Sequence, residues 1–348
     1  MLDKNNVKSY LLIIIMAFVL YNPQLLIQSV KNGMLVCYNS VIPSLYIFMV
    51  FANYRAKPEI MELLSIPFRW YGRLMKVKDN YFSGCLAVSL LGGFAVGANY
   101  INELKRRGYS EKSLSVLSVA MINNSFSYCV FATGFSAYGN VVPGLILYAS
   151  LTAASMITAF IFSFLYEYNI VSSCNNAPTS NINIVSAIKK SVDTILVICG
   201  FVIFFNVICE VISLYTSCNI LINIFSAVFM EVTCGTLKIL NYFKNNIYLL
   251  CFSLSVFPVC TLCQVYHFTG NSDIIRKLLL SRIIHTPISV LILSILINLF
   301  PTVLHVNSNI MPKFVLYSQT PELSSVMFLI TAVFIIISDK NKLFTKYE

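Results

Sequence analysis

The sequence predicts an all-α polytopic membrane protein, with about six full transmembrane helices and four broken or re-entrant ones in two similar halves. Three observations lead there. Hydrophobic residues make up 57% of the 348-residue chain and charged residues only 11%, with a mean hydropathy of +0.77. A soluble domain carries roughly 25% charged residues, so this chain has too little charge to cover its surface in water. The apolar residues fall in long continuous runs rather than in the alternation of a transmembrane β-barrel. Four of the runs carry polar residues, Gly or Pro near their middles. A soluble globular enzyme, a disordered protein and a secreted disulfide scaffold are excluded by the same composition.

The first run, 10–30, follows Lys4 and Lys8 and lacks a small-residue cleavage site, so it reads as an uncleaved helix with a cytoplasmic N-terminus. Further plain spans are expected at 33–54, 138–165, 191–215, 283–304 and 323–338. Between the second and third lies 55–79, a basic amphipathic stretch with Arg55, Lys57, Arg69, Arg73, Lys76, Lys78 and the single Trp70. It is expected to lie along the membrane interface.

The interrupted segments are 80–101, 114–137, 218–240 and 247–269. Their interruptions are Gly92-Gly93 with Gly97 and Asn99, then Asn123-Asn124-Ser125, then Glu231-Val232-Thr233-Cys234-Gly235, then Phe257-Pro258 with Gln264. Hydrocarbon offers backbone no hydrogen bonds, so a helix breaks at membrane depth only where protein or a water-filled cavity surrounds it. Paired breaks in corresponding halves point to a transporter's binding site.

Boundaries follow from this order: an N-terminal transmembrane helix 1–31, a first half 32–165, an Asn/Ser-rich polar linker 166–190, a second half 191–304, and a C-terminal helix and tail 305–348. The net charge of +10 is read as an orientation signal rather than as nucleic-acid affinity. If all four broken segments fold back to the side they left, 20 of the 24 Lys and Arg face the cytoplasm, and Lys31, Lys189, Lys190 and Lys313 do not. If all four cross, the split is 15 to nine. The first division favours re-entry, with both termini cytoplasmic.

Most of the 11 cysteines sit inside apolar runs and read as small apolar residues, Cys260-x-x-Cys263 included. No metal cluster, phosphate loop or nucleophile elbow is present, so no cofactor, metal or catalytic residue is expected. Three acids fall within apolar runs, where acids are functional candidates. Asp193 follows Lys189 and Lys190 by one turn and reads as a first-turn interfacial acid, and Glu210 lies near a helix end. Glu231, at a break, is the candidate ion or proton site, with capping of freed amides the equal alternative. The candidate substrate-binding residues are Gly92, Gly93, Gly97, Asn99, Asn123, Asn124, Ser125 and Gln264. The glycines permit positive φ or close approach, tight helix packing being the alternative. The amides and hydroxyls must bond either each other or a solute. His267, His285 and His305 read as interfacial polar tips.

The segments Asn32-Gly33-Met34-Leu35-Val36-Cys37, Val41-Ile42-Pro43-Ser44-Leu45, Arg107-Gly108-Tyr109-Ser110, Asn123-Asn124, Cys199-Gly200-Phe201-Val202-Ile203-Phe204-Phe205 and Glu231-Val232-Thr233-Cys234-Gly235 stand in an informative order. With the glycine cluster 92–99, Cys260 to Gln264 and Arg282 to His285, they resemble the YlbJ-type sporulation integral membrane proteins of the nucleoside-recognition (gate-domain) superfamily. The resemblance spans about residues 32–290. It implies gate-like halves, a forespore-membrane location and transport of a small organic anion such as dipicolinate. Membrane lipid and self-association are the remaining partners to consider. Three positions depart from the family: Phe94-Ala95 replaces Tyr-Pro, Asn99 replaces Lys, and Phe257-Pro258 replaces Gly-Gly. The missing lysine removes the obvious cationic partner for a dianion. A non-transporting assembly protein of the spore membrane and a nucleoside-type carrier are the alternative readings.

Overall fold

The computed structural model describes residues 23–54, 58–77, 79–166, 183–216, 218–243 and 246–300. The expected spans 10–30 (in its first part) and 323–338, most of the linker and His305 lie outside them. The described residues are all-helical, and five helices are long and apolar enough to cross a bilayer, as an all-α integral membrane protein requires.

The elements are α1 (Pro23–Tyr54), α2 (Pro58–Ser65), α3 (Arg69–Leu74), α4 (Asn80–Gly92), α5 (Phe94–Arg106), α6 (Glu111–Met121), the π-helical α7 (Tyr128–Phe135), α8 (Val141–Leu165), α9 (Ile184–Thr216), α10 (Ile220–Met230), α11 (Val232–Phe243), α12 (Ile247–Ser255), α13 (Val259–Thr269) and α14 (Ser272–Leu299). Helix α1 contains a π-helical turn at Cys37–Val41. Side-chain caps set the starts: Asp79, Ser110, Asn140, Asn219, Asn246 and Asn271 each accept a backbone N–H one turn in.

All four interrupted segments break where the sequence interrupts them, but they do not all return. In α4–α5 the guanidinium of Arg107 sits 3.4 Å from the ring centre of Tyr81, and Tyr109 donates to Asp79 at 3.3 Å. These residues stand at opposite ends of the segment, so it is a hairpin. In α10–α11, Lys238 donates to Asn223 at 2.6 Å, and a Cβ on Gly235 would lie 2.7 Å from the Cα of Val228. This is a second hairpin.

The other two run through. Segment α12–α13 forms one 23-residue span, Ile247–Thr269. Segment α6–α7 starts beside the first hairpin's end, where Lys105 pairs with Glu111 at 2.5 Å, and Asn271 also bonds Glu111. It finishes at Asn140, the far end of the 25-residue α8, whose near end (Tyr166) holds Lys277 2.5 Å from its ring centre. The first hairpin therefore opens at one end of the molecule and the second, through Asn246, at the other. Two of the broken segments thus return and two cross, neither of the all-or-none layouts weighed from charge: charge counts do not register which arms pack side by side.

Several expected boundaries also move. Helix α1 passes unbroken through Lys31 and Gly33, so the boundary at 31/32 falls inside a helix. Gly33 serves packing: its Cβ would sit 3.0 Å from the Cα of Ile203 on α9. Helix α9 starts at Ile184, inside the expected linker, which puts Asp193 in the third turn, exposed, rather than in the first. Helix α14 starts at Ser272 rather than 283, so His285 is not an interfacial tip. It is 1% exposed and its Nε2 bonds the Leu151 carbonyl at 3.2 Å.

Helix α1 packs on α9, and α8 on α14. The amphipathic 58–74 stretch packs on α4, burying Met61 and Tyr71 while Trp70 stays 58% exposed. Tyr71 donates to the Met156 carbonyl at 2.8 Å, which ties this stretch to α8.

Candidate functional site

Each break creates an N-terminus for its second arm, and an N-terminus has amides without intrahelical partners. The four breaks handle this differently. Gly93 has φ 84° and ψ −168°, and no side chain caps the arm that follows it. Ser125 accepts the amide of Tyr128 at 3.2 Å. Glu231 turns its carboxylate onto its own arm: Oε2 accepts the amide of Cys234 at 2.8 Å and the hydroxyl of Thr233. Pro258 precedes α13 without a side-chain cap. Glu231 thus caps its own arm, with its carboxyl group facing the positive end of a helix dipole.

The breaks meet at the centre. A Cβ on Gly93 would stand 2.8 Å from the Cβ of Ser125, so the first hairpin's tip touches the break of α6–α7. Asn124 donates to the Leu254 carbonyl at 2.6 Å, joining that break to the one in α12–α13. Tyr128 and Thr236 share a hydrogen bond of 3.0 Å, which reaches the second hairpin. Thr236 spends its own proton on the Val232 carbonyl at 2.7 Å, so Tyr128 is the donor.

Between them lies a cavity of about 40 Å³ lined by Phe94, Asn124, Ser125, Tyr128, Glu231, Thr233, Thr261 and Gln264, with Ser44 of α1 and Ile198 and Val202 of α9 among the other walls. Glu231 is 1% and Gln264 2% exposed. Gln264 donates to Cys260 at 3.2 Å, while its carbonyl Oε1 is buried without a partner. A water needs roughly 10–15 Å³ of such space. The cavity therefore takes about three waters and is too small, as it stands, for an organic anion. No Lys or Arg lines it.

Of the expected site residues, Asn124, Ser125, Gln264 and Glu231 reach this cavity, and Gly93 shapes its edge. The others serve packing. A Cβ on Gly92 would press on the Val96 side chain at 2.6 Å, and one on Gly97 would collide with the Met121 carbonyl. Asn123 donates to Ala120 at 2.8 Å and Ser155 at 3.0 Å, fastening α6 to α8. Asn99 lies one turn down α5 from the break and does not line the cavity; its Nδ2 is buried without a partner.

Phe94, Tyr128 and Thr261 line the cavity as well, and no charge marks them in the sequence. Arg282 is the basic residue at the breaks. Its guanidinium lies 4.1 Å from the ring centre of Phe257 and donates to the Ser255 carbonyl at 3.4 Å, and its Nε and Nη2 are buried without partners. Its depth on α14 became visible only once that helix started at Ser272.

Compared with protein-family models, curated proteins and solved structures, the chain matches none.

Proposed function

We propose that the chain is a membrane transporter or channel for a small organic anion, of the gate-domain kind its motifs resemble. The observation that carries this reading is the meeting of four helix breaks at one buried polar cavity. Backbone freed at membrane depth is tolerated around a solute path, and broken helices at the midplane form such sites. The order of elements supports two inversely oriented halves: α1, hairpin α4–α5, crossing α6–α7 and α8, then α9, hairpin α10–α11, crossing α12–α13 and α14.

Orientation follows from charge. Arg69, Arg73, Lys76, Lys105, Arg106, Arg107, Lys112, Lys189, Lys190, Arg276 and Lys277 gather toward the end where the first hairpin opens. Lys31 and Lys238 lie toward the other. The basic end is cytoplasmic, both termini share that side, and the membrane is that of the developing spore.

The small cavity corresponds to a closed state, and separation of the hairpin tips admits the solute. Arg282, whose Nε and Nη2 are buried with unspent donors, supplies the positive charge absent at Asn99. A carboxylate at Glu231 opposes an anion unless it carries a proton, so anion and proton move together. Proteoliposomes with folded protein are expected to take up or release labelled dipicolinate or a related carboxylate, faster with a proton gradient. No flux across a broad anion panel overturns the proposal.

A further inference from the structure

A second cavity, of about 490 Å³, lies between α1, α9 and the open end of the second hairpin. Asn206, Glu210 and Ser213 stand at i, i+4 and i+7 on one face of α9, and all three line it. Lys238 reaches it from α11. Its ammonium group donates to the Ser213 hydroxyl and to Asn223, which uses two of its three N–H donors. Ser213 is one turn from Glu210, so the ammonium is anchored about one helical turn from the carboxylate. Among the described residues no salt bridge joins Glu210 to any base. Asn206 is 4% exposed; its Nδ2 donates to Cys234 at 3.2 Å while its Oδ1 is buried without a partner.

Opposite charges this near would ordinarily be expected to pair. Here each faces the cavity separately, beside an unsatisfied amide oxygen. A simple anion would suit Lys238 and be opposed by Glu210, and a simple cation the reverse. We propose that this cavity binds a small zwitterion, a molecule carrying both a carboxylate or phosphate and a primary ammonium group. The anionic group takes the remaining donor of Lys238. The ammonium group is held by Glu210 and Asn206 Oδ1. The volume suits a molecule of amino-acid size. The same pair of charges occurs in a free amino acid and in a phosphatidylethanolamine headgroup. Asn206, Glu210 and Lys238 do not line the central cavity.

The test is a thermal-unfolding titration of the full chain in phosphatidylglycerol nanodiscs, which carry no amino headgroup, with L-alanine, propionate and ethylamine as probes. L-Alanine is expected to raise the midpoint saturably, and the single-charge probes to bind roughly tenfold or more weakly, because each leaves one protein charge unpaired. E210Q breaks no hydrogen bond of the fold and is expected to abolish the preference for L-alanine over propionate. K238Q is expected to abolish the preference over ethylamine. If L-alanine is silent but short-chain phosphatidylethanolamine stabilises the wild type and not E210Q, the zwitterion is the headgroup. Equal binding of L-alanine and propionate, an unchanged preference in E210Q, or no response to any probe overturns the proposal. Binding is read without flux, so this failure and failure of the transport reading are separate results.

Discussion

Replacing Gly93 by alanine tests the contact on which the central site depends. Gly93 occupies φ 84°, ψ −168°, a region essentially closed to residues with a side chain, where occupancy costs about 1–3 kcal/mol. The new Cβ would lie 2.8 Å from the Cβ and 2.9 Å from the amide nitrogen of Ser125. Neither neighbour is the free end of a flexible side chain, so backbone must move, at about another 1–3 kcal/mol. G93A should therefore lose roughly 2–6 kcal/mol, a large share of the stability of an ordinary domain.

The assay is unfolding in mixed detergent–SDS micelles, with G200A in parallel. Gly200 is helical and exposed, and a Cβ there meets nothing within 4 Å. That substitution should be neutral or stabilise by up to about 1 kcal/mol. A G93A protein within about 0.5 kcal/mol of wild type, the range of a surface substitution, would mean that the first hairpin's tip does not touch the α6–α7 break.

Asn124→Ala removes the 2.6 Å bond to Leu254 and strands a carbonyl at a break; a loss of about 1–3 kcal/mol is expected in the same assay. Glu231→Ala strips a cap and should cost about 1 kcal/mol. Glu231→Gln should remove the pH dependence of flux, and a pH profile like the wild type's rules out its proton role. Gln264→Leu discards a carbonyl that bonds nothing in the closed state and one N–H bond to the Cys260 sulfur, so stability should fall by no more than about 1 kcal/mol while flux falls; unaltered flux removes Gln264 from the site. Tyr128→Phe cuts the bond between the α6–α7 break and the second hairpin, for about 0.5–1.5 kcal/mol. If that hairpin is the gate, flux should rise about twofold to tenfold as the open state gains population, and reduced flux refutes the gate.

The four breaks were legible because Gly, Asn, Glu and Pro stand in otherwise apolar runs, where a continuous helix would hold none of them cheaply. Whether a broken segment returns or crosses was not legible. That depends on Arg107 meeting Tyr81 and Lys238 meeting Asn223, contacts between residues that look alike to a charge count. Adjacent asparagines show a second limit. In the extended stretch after α6 neighbouring side chains point apart: Asn123 turns back to α6 and α8, whereas Asn124 turns to the cavity. Their spacing marks both as candidates and cannot separate them. The walls given by Ser44, Ile198 and Val202 lie in plain helices, where only packing decides which face is central.

The break in α6–α7 has a position the other three lack. Ser125 touches the first hairpin at Gly93, Asn124 holds the break in α12–α13, and Tyr128 holds the second hairpin. These three contacts thus come from the five residues 124–128, which lead from the end of α6 into the first residue of α7. Asn123 pins this stretch to α8, and Gly97 seats α5 against its beginning at Met121. A hub fastened on that side is poorly placed to move. The hairpin tips are held to it more lightly, the first by contact without a side-chain hydrogen bond and the second by one hydroxyl pair. Widening a 40 Å³ space enough for a carboxylate solute therefore asks least of the fold if the tips withdraw from a stationary crossing. On this view Asn123 and Gly97, which never reach the cavity, still fix its position.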